Sequence, residues 1–241
     1  MHKHLTYGAL GMLALGLLVG CGSSLDEADP ETRTFQLDGT NLNITTDNGA
    51  VELETGDVDE VEVTRWFDGD PDEGTWDLEG NTLTFDSSCG LLRTCDARYL
   101  VVVPDDVTVD IEGENSPVTA RNLSQTLTIR TQNGEVTVTG STGDLDLHTD
   151  NAAQHVSSSS PATLTSRTAN GDVDITLDEP PIDLTATADN GRIDITVPGD
   201  VAYDVEIETD NGHIDNELDV DPDSPHQVRI ETDNGEVLLG S

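Results

Sequence analysis

The stretch that decides the fold is Thr187-Ala188-Asp189-Asn190-Gly191-Arg192-Ile193-Asp194-Ile195-Thr196-Val197. After the glycine, apolar and polar side chains alternate, and Ile, Val and Thr dominate, which is typical of a β-strand with one buried face. The Asn-Gly pair before this strand indicates a tight turn. The stretch therefore predicts a strand, a turn and a second strand.

The same phrase recurs along the chain of 241 residues. The complete copies are Asn48-Gly49, Asn133-Gly134, Asn170-Gly171, Asn190-Gly191, Asn211-Gly212 and Asn234-Gly235. Two degenerate copies, Asn115-Ser116 and Asn151-Ala152, fall in phase, and the steps from Asn115 onward are 18, 18, 19, 20, 21 and 23 residues. Such self-similarity indicates one structural unit that is repeated and stacked.

Two architectures suit these repeats. A string of β-hairpins would place a type I′ turn at each Asn-Gly pair. A β-solenoid would make each repeat one rung, stacked about 4.8 Å above the last. Equivalent positions carry the same residue types, length varies only in the opposite turn, and aromatic residues make up only 3% of the chain. We therefore predict an all-β, single-domain β-solenoid (β-helix) of about 18–23-residue repeats, with hairpins as the alternative.

The first twenty residues have the pattern of a targeting segment. Lys3 precedes an apolar run that is too short to span a membrane comfortably and that ends in Leu18-Val19-Gly20-Cys21. This ending resembles the lipobox of bacterial lipoproteins, in which the cysteine is acylated; an ordinary signal peptide is the alternative. We predict a lipoprotein signal peptide over 1–20, a lipid-anchored tether over 21–34 and the repetitive domain over 35–241. Cys21 would then hold the protein on the extracytoplasmic face of the cell membrane.

The chain is strongly acidic, with 49 Asp and Glu against 10 Lys and Arg and a net charge of −39. Such a field repels nucleic acid, which excludes it as a partner. The acids are spread along the chain, which favours a solvated surface suited to high salt. Asp189, Asp210 and Asp233, beside the repeat turns, are the candidates for a calcium site. In the interpretation that we favour, Asn and Gly supply positive φ angles and stacked asparagines stabilise the column, so we predict no metal and no cofactor.

Cys89 and Cys95 are separated by five residues. A lone pair of cysteines outside the cytoplasm predicts a disulfide that clips a local loop. A metal site would need more thiols or nearby histidines, and the spacing is not that of a thioredoxin-like redox pair. We therefore predict a structural disulfide.

Aromatic residues concentrate where the rhythm is interrupted, between Asn48 and Asn115. They are Trp66, Phe67, Trp76, Phe85 and Tyr99. Their simplest interpretation is a wider core or cap at the N-terminal end of the solenoid. An aromatic platform for carbohydrate is the alternative.

Catalytic signatures are missing from the sequence. The histidines of the domain occur singly, so His148 and His155 predict no zinc site. The run Ser157–Ser160 lacks the context of a nucleophile and predicts a loop. Carboxylates are too abundant to identify an acid–base pair. We predict no catalytic residue and no enzymatic activity.

The Thr-Asp-Asn-Gly repeats over 35–241 resemble a bacterial family known as "putative adhesin", related to head-GIN domains. The resemblance implies a β-solenoid and brings no set of functional residues. We expect a lipid-anchored cell-surface protein with an adhesin-like binding or structural role toward wall glycan or a surface protein, in an oligomeric state that the sequence leaves open. The alternative is a polysaccharide-acting enzyme of the envelope or a calcium-binding surface protein. The last repeat, ending at Leu239-Gly240-Ser241, is expected to leave an open strand edge.

Overall fold

The computed structural model describes residue 25 and residues 28–70, 73–89 and 95–241. Within these ranges the regular elements are β-strands, without an α-helix, so the all-β prediction is confirmed. In chain order the strands are β1 (Glu31–Phe35), β2 (Asn41–Thr46), β3 (Ala50–Thr55), β4 (Val61–Phe67), β5 (Thr75–Glu79), β6 (Thr82–Asp86), β7 (Ala97–Val103), β8 (Thr108–Gly113), β9 (Val118–Arg121), β10 (Leu127–Thr131), β11 (Val136–Thr139), β12 (Leu145–Thr149), β13 (Gln154–Ser159), β14 (Thr163–Asn170), β15 (Val173–Leu177), β16 (Asp183–Asn190), β17 (Ile193–Thr196), β18 (Asp204–Asn211), β19 (Ile214–Asn216), β20 (Gln227–Asn234) and β21 (Val237–Gly240).

The strands form two sheets whose order shows how the repeats stack. Sheet A has the order β1-β4-β7-β3-β9-β11-β13-β15-β17-β21-β19, and sheet B has the order β18-β20-β16-β14-β12-β10-β8-β2-β6-β5. From β8 onward, each repeat gives one strand to sheet B and the next to sheet A, and neighbouring repeats pair in parallel. Hairpins would pair antiparallel. The β-solenoid is therefore confirmed, and the string of hairpins is excluded.

The core follows from the parallel register, because identical positions of successive repeats lie above one another. In sheet B, Ile129 pairs with Ile111 below and Leu147 above, and all three are buried. In sheet A, Val138 lies between Ala120 and Val156 in the same way. The interior of the repeats after β8 is lined mainly by aliphatic side chains, with buried polar residues among them, such as Ser166, which donates a hydrogen bond to Gln154.

The last two rungs are exchanged in space relative to their order in the chain. Strands β20 and β21, which come last, lie between the β16/β17 rung and the β18/β19 rung. The expectation of an open edge at Leu239-Gly240-Ser241 is therefore wrong, because β21 is paired on both sides. The edge strands at this end of the solenoid are β18 in sheet B and β19 in sheet A.

The N-terminal end is closed by an insertion in the repeat pattern. The β2/β3 rung stacks directly on β8/β9, while β6 and β7 stack on its other side. Strands β1, β4 and β5 then add antiparallel pairs at the outside. Strand β1 begins at Glu31, four residues before the expected start of the domain at Phe35, because it pairs with β4.

The aromatic residues form the core of this N-terminal cap. Trp76, Phe85 and Tyr99 are at most 1% exposed, and the rings of Phe85 and Tyr99 stack with centroids 3.9 Å apart. The buried guanidinium of Arg65 lies 5.0 Å from the ring centres of both Phe67 and Trp76. The cap interpretation is confirmed, and a carbohydrate platform of Trp76, Phe85 and Tyr99 is excluded by their burial.

A disulfide joins Cys89 and Cys95, with Cα atoms 5.9 Å apart, between β6 and β7. It connects the ends of the loop 90–94, which lies outside the described residues. Its position beside the aromatic cap makes it a local structural clip.

The phenol of Tyr99 gives the protein a measurable sensitivity to alkali. Burial raises the pKa of Tyr99 from its usual value near 10 to about 12, and Arg65 opposes this shift. The unfolded chain therefore releases this proton at a lower pH than the folded chain does. We expect the free energy of unfolding to be unaffected by this group below pH 10 and to fall as the pH rises to 12, by about 2–3 kcal/mol.

The measurement is urea denaturation between pH 9 and pH 12, with Tyr99→Phe as the matched variant. Tyr203, whose pKa burial also raises to about 12, remains in both proteins and serves as an internal reference. Over this interval the free energy of unfolding of Tyr99→Phe should fall by about 2–3 kcal/mol less than that of the wild-type protein. Identical pH profiles for the two proteins would show that Tyr99 does not titrate in this way.

Candidate binding surfaces

A ladder of eight asparagines runs along one edge of the solenoid. Beginning at Asn48, the side-chain amide nitrogen of each later asparagine donates to the side-chain amide oxygen of the one before it, at 2.9–3.4 Å, within the described repeats. In spatial order they are Asn48, Asn115, Asn133, Asn151, Asn170, Asn190, Asn234 and Asn211. The ladder joins eight rungs in register and fixes the position of each turn relative to the next.

The glycines of the turns do a different job from the predicted one. Gly49 has a positive φ of 105°, as expected, but Gly134, Gly171, Gly191, Gly212 and Gly235 do not. At these five positions a Cβ atom would collide with the backbone carbonyl of the neighbouring rung. Glycine is therefore needed for the close approach of stacked turns rather than for a left-handed conformation.

The calcium candidates lie on three consecutive rungs. The register of β16, β20 and β18 places Asp189, Asp233 and Asp210 side by side, and all three are exposed. Among the described residues, the only three ligand-type atoms within 4.8 Å of one another belong to Glu73, Cys89 and Cys95. Both cysteines are oxidised to the disulfide. The structure thus brings the three aspartates to adjacent rungs but does not gather their carboxylates into a cage.

The outer face of sheet B is crossed by ion pairs. Arg130 bridges Asp110 and Asp146 at 3.4 and 3.1 Å, and Arg167 reaches Asp146 at 3.4 Å. All these side chains are 40–50% exposed, so each pair contributes little stability. Their guanidinium and carboxylate groups are already engaged with one another across four rungs.

The outer face of sheet A carries hydroxyl groups beside ion pairs of its own, which Asp174 and Asp194 form with Arg192. We call it the hydroxyl face and define it by residues on five neighbouring strands, β9 to β17: Thr119, Thr137, Thr139, Ser157, Thr176 and Thr196. Each directly follows a buried residue of its strand and is itself partly or fully exposed, so it points outward. Hydroxyl groups both donate and accept hydrogen bonds, so the face can pair with partners of either polarity.

The hydroxyl face contains a β-bulge, and here the sequence prediction was wrong. The run Ser157–Ser160 was expected to be a loop, but β13 extends to Ser159. The register shifts between Val156 and Ser159, and Ser158 has a positive φ of 48°. The bulge adds one residue opposite Thr176, so it turns an additional hydroxyl toward solvent.

The histidines of the repeats do not meet. His148 lies on the outer face of sheet B, 3.2 Å from Asp150, whereas His155 lies on the outer face of sheet A, 3.1 Å from Asp174. The two sheets separate them, because they belong to β12 and β13 of one rung. The structure therefore brings no shared ligand set to these two residues.

Cys21 and the predicted signal peptide lie outside the described residues. Within the described part of the chain, no helix has the length and apolarity to cross a membrane. The predicted tether ends in β1, which is the outermost strand of sheet A at the capped end of the solenoid. Any attachment through Cys21 would therefore be made at that end.

These observations define a class of protein, a two-sheet parallel β-solenoid with one capped and one open end. A family model described as Toastrack DUF4097 matches residues 25–239, and the chain belongs to this family. No curated protein matches the chain.

Solved structures with similar folds carry related descriptions. A "putative adhesin" from Bacteroides fragilis is 11% identical, covers 88% of this chain and 97% of its own, and has a TM-score of 0.48. A "putative adhesin" from Parabacteroides merdae is 12% identical over 86% and 95% of the two chains, with a TM-score of 0.43. A "putative lipid binding protein" from Parabacteroides distasonis is 12% identical over 88% and 94%, with a TM-score of 0.38. The resemblance to the "putative adhesin" family is confirmed.

The hydroxyl face is the site that sequence reasoning missed. Its residues occupy the outward positions between buried valines and isoleucines, for example Thr137 between Val136 and Val138. Threonine is also a common strand residue, so the pattern alone gave no reason to single these positions out. The available signal was that they fall in one sheet, in consecutive rungs.

Proposed function

We propose that this protein is a lipid-anchored, non-catalytic surface protein that binds an extended, uncharged glycan of the cell envelope along the hydroxyl face. The observation that carries the proposal is a row of outward hydroxyl groups on the four adjacent strands β11, β13, β15 and β17, formed by Thr139, Ser157, Thr176 and Thr196, about 4.8 Å apart and about 14 Å long. Because each hydroxyl group can both donate and accept a hydrogen bond, such a row matches a polymer that carries hydroxyl groups at regular intervals.

The rigidity of the solenoid supports this proposal. The asparagine ladder and the parallel pairs hold the hydroxyl groups in fixed positions before a partner arrives. A preorganised surface loses little conformational entropy when it binds. Repeat proteins use such extended surfaces for extended partners.

Net charge narrows the choice of glycan. At −39, the protein repels polymers that carry phosphate or carboxylate groups. The hydroxyl face itself has Asp174 and Asp194 at its side, both paired with Arg192. A neutral polysaccharide chain is therefore the partner that this surface favours.

Anchoring through Cys21 would orient the molecule. With β1 at the membrane end, ten to eleven stacked strands at about 4.8 Å each would raise the open end by about 45 Å. The hydroxyl face would then run away from the membrane and into the wall layer. This geometry suits a protein that connects a membrane to an external polymer.

The test is a pelleting assay with insoluble, lipid-free wall glycan and the purified Cys21→Ser protein. We expect binding that Thr139→Glu/Thr176→Glu lowers about tenfold, because two carboxylates would replace hydroxyl groups of the binding row. The matched control is Thr128→Glu/Thr165→Glu, which makes the same change two rungs apart on the outer face of sheet B. In a parallel arm, the protein with Cys21 intact, purified from cells that acylate lipoproteins, should float with lipid vesicles, and Cys21→Ser from the same cells should not.

Equal losses from the two double variants, or none, would contradict a binding role of the hydroxyl face. Flotation of Cys21→Ser would contradict the lipid anchor alone. The two halves of the proposal are thus tested separately.

A further inference from the structure

The open end of the solenoid has an unpaired strand edge in sheet B. Strand β18 pairs with β20 on one side, and among the described residues its other side is met only at Tyr203, by the backbone of Asp219 and Asp221. Because backbone groups alternate along a strand, the N–H and C=O groups of Val205, Ile207 and Thr209 face away from β20. A free edge of this kind is a template for another strand.

Apolar side chains are exposed at the same end. Val205 and Ile207 are the last members of the buried columns of sheet B and are only partly buried. Across the interior, Ile214 of β19 is 40% exposed, whereas Leu218, which follows β19, is 9% exposed. A further rung would bury these side chains, as it does everywhere else in the solenoid.

The outward side chains of this edge are acidic. Glu206, Glu208 and Asp210 alternate with the inward residues along β18, and only Glu206 has a cationic neighbour, Arg229 at 3.8 Å. Glu206, Glu208 and Glu231 also line a shallow cavity of about 230 Å³ on the outer face. A second copy of the chain would bring its own acidic β18 to this edge, and like charges on adjacent strands repel.

We propose that the β18 edge binds an extended protein segment in which apolar and basic residues alternate. The apolar side chains continue the Val205 and Ile207 columns, and the basic side chains lie beside Glu206 and Glu208. The segment adds a strand to sheet B, a mode in which main-chain hydrogen bonds give affinity and alternate side chains give specificity. This inference concerns a different surface and a different partner from the glycan-binding hydroxyl face.

The probe is a synthetic heptapeptide of alternating valine and lysine, titrated into the purified protein. We expect saturable one-to-one binding, together with slower amide exchange at Val205, Ile207 and Thr209. Two matched probes test the mode of binding. A peptide of the same composition in blocks keeps the charge but loses the alternation, and a fully N-methylated peptide keeps the side chains but donates no backbone hydrogen bond. Each should bind at least about tenfold more weakly.

The protein variants test the place of binding. Glu208→Lys should lower the affinity for the alternating peptide at least about tenfold. Its matched control is Glu112→Lys, which changes an exposed glutamate in the same outward column of sheet B, on β8 far from the edge. This control should change affinity less than about twofold, and thermal unfolding of both variants reports whether the fold is kept.

Several outcomes would overturn the inference. If the alternating and block peptides bound equally well, or if the two variants lost the same amount of peptide affinity, binding would reflect only the general attraction of a polycation to an acidic surface. Protection of the β18 amides on raising the protein concentration alone would assign the edge to a second copy of the chain. If binding did not saturate at about 1 mM peptide, the proposal that the β18 edge binds such a segment would be wrong. None of these results would affect the pelleting assay, so the two proposals fail independently.

Discussion

Gly191→Ala is expected to lower the free energy of unfolding by about 3 kcal/mol. The added Cβ would lie well inside van der Waals contact with the carbonyl oxygen of Gly171 in the next rung. Neither backbone can move away easily, because Asn190 and its neighbours in the ladder hold the turns in register. The rung on the other side also has glycine, Gly235, at this position, and a Cβ atom there would collide with the backbone of Gly191 in the same way. The turn of Gly191 is therefore closely packed on both sides.

The measurement is equilibrium urea denaturation, with Gly240→Ala as the matched control. Gly240 lies at the end of β21 and has no positive φ, and a Cβ added to it would meet no atom within 4 Å. This control should change stability by less than about 0.5 kcal/mol. If the two variants were equally stable, the stacked turns would not approach one another as closely as the structure shows.

Trp76→Ala is expected to cost about 4 kcal/mol, the largest single-residue effect among our predictions. Its ring is 1% exposed and meets Phe35 edge to face at 6.3 Å. Arg33 lies 4.2 Å from the ring centre, and Arg65 lies on it as well. Removing the indole would leave a cavity in the cap and would deprive a buried guanidinium of one of its two aromatic neighbours.

The other tryptophan of the chain provides the comparison. Trp66 is half-buried on the outside of β4 and contacts Arg98, whose guanidinium lies 4.4 Å from the ring centre. Trp66→Ala should cost only about 1 kcal/mol. Denaturation followed by circular dichroism measures both variants. Equal losses of stability in the two variants would mean that the cap is not organised around Trp76. If Trp66→Ala lost glycan pelleting without losing stability, Trp66 would be part of an aromatic platform for carbohydrate.

The stacking of the repeats could be predicted from the sequence because aligning the asparagines of the repeats fixes the position of every other residue in the rung. Once Asn133, Asn151 and Asn170 are aligned, parity assigns every neighbouring residue to the core or to solvent. The parallel pairing of successive repeats could also be predicted, because a parallel register places the same residue type at the same position of each rung. The hydrogen-bonded asparagine ladder is the direct consequence of that alignment.

The order of the last rungs could not be predicted in the same way. Both rungs contain Glu-Thr-Asp-Asn-Gly, at 208–212 and at 231–235, so the columns match whichever rung comes first. The role of the glycines was also mistaken, because a collision between rungs depends on their separation and not on a local sequence preference. The interruption between Asn48 and Asn115 was visible, but the antiparallel pairing within it was not, since antiparallel strands show the same alternation as parallel ones.

The exchanged rungs bear on how the chain acquires its structure as it emerges. Strands β8 to β17 can be added one upon another in the order in which they are made, since each new strand finds its partner already in place. The next one cannot occupy its final place in this way, because its neighbour β20 has not yet arrived. Residues 227–240 lie between the β16/β17 rung and the β18/β19 rung, so this end of the solenoid is completed only after residues 227–240 have been made. The stacking of Asn234 on Asn190 joins residues 44 positions apart, and closing such a loop costs conformational entropy.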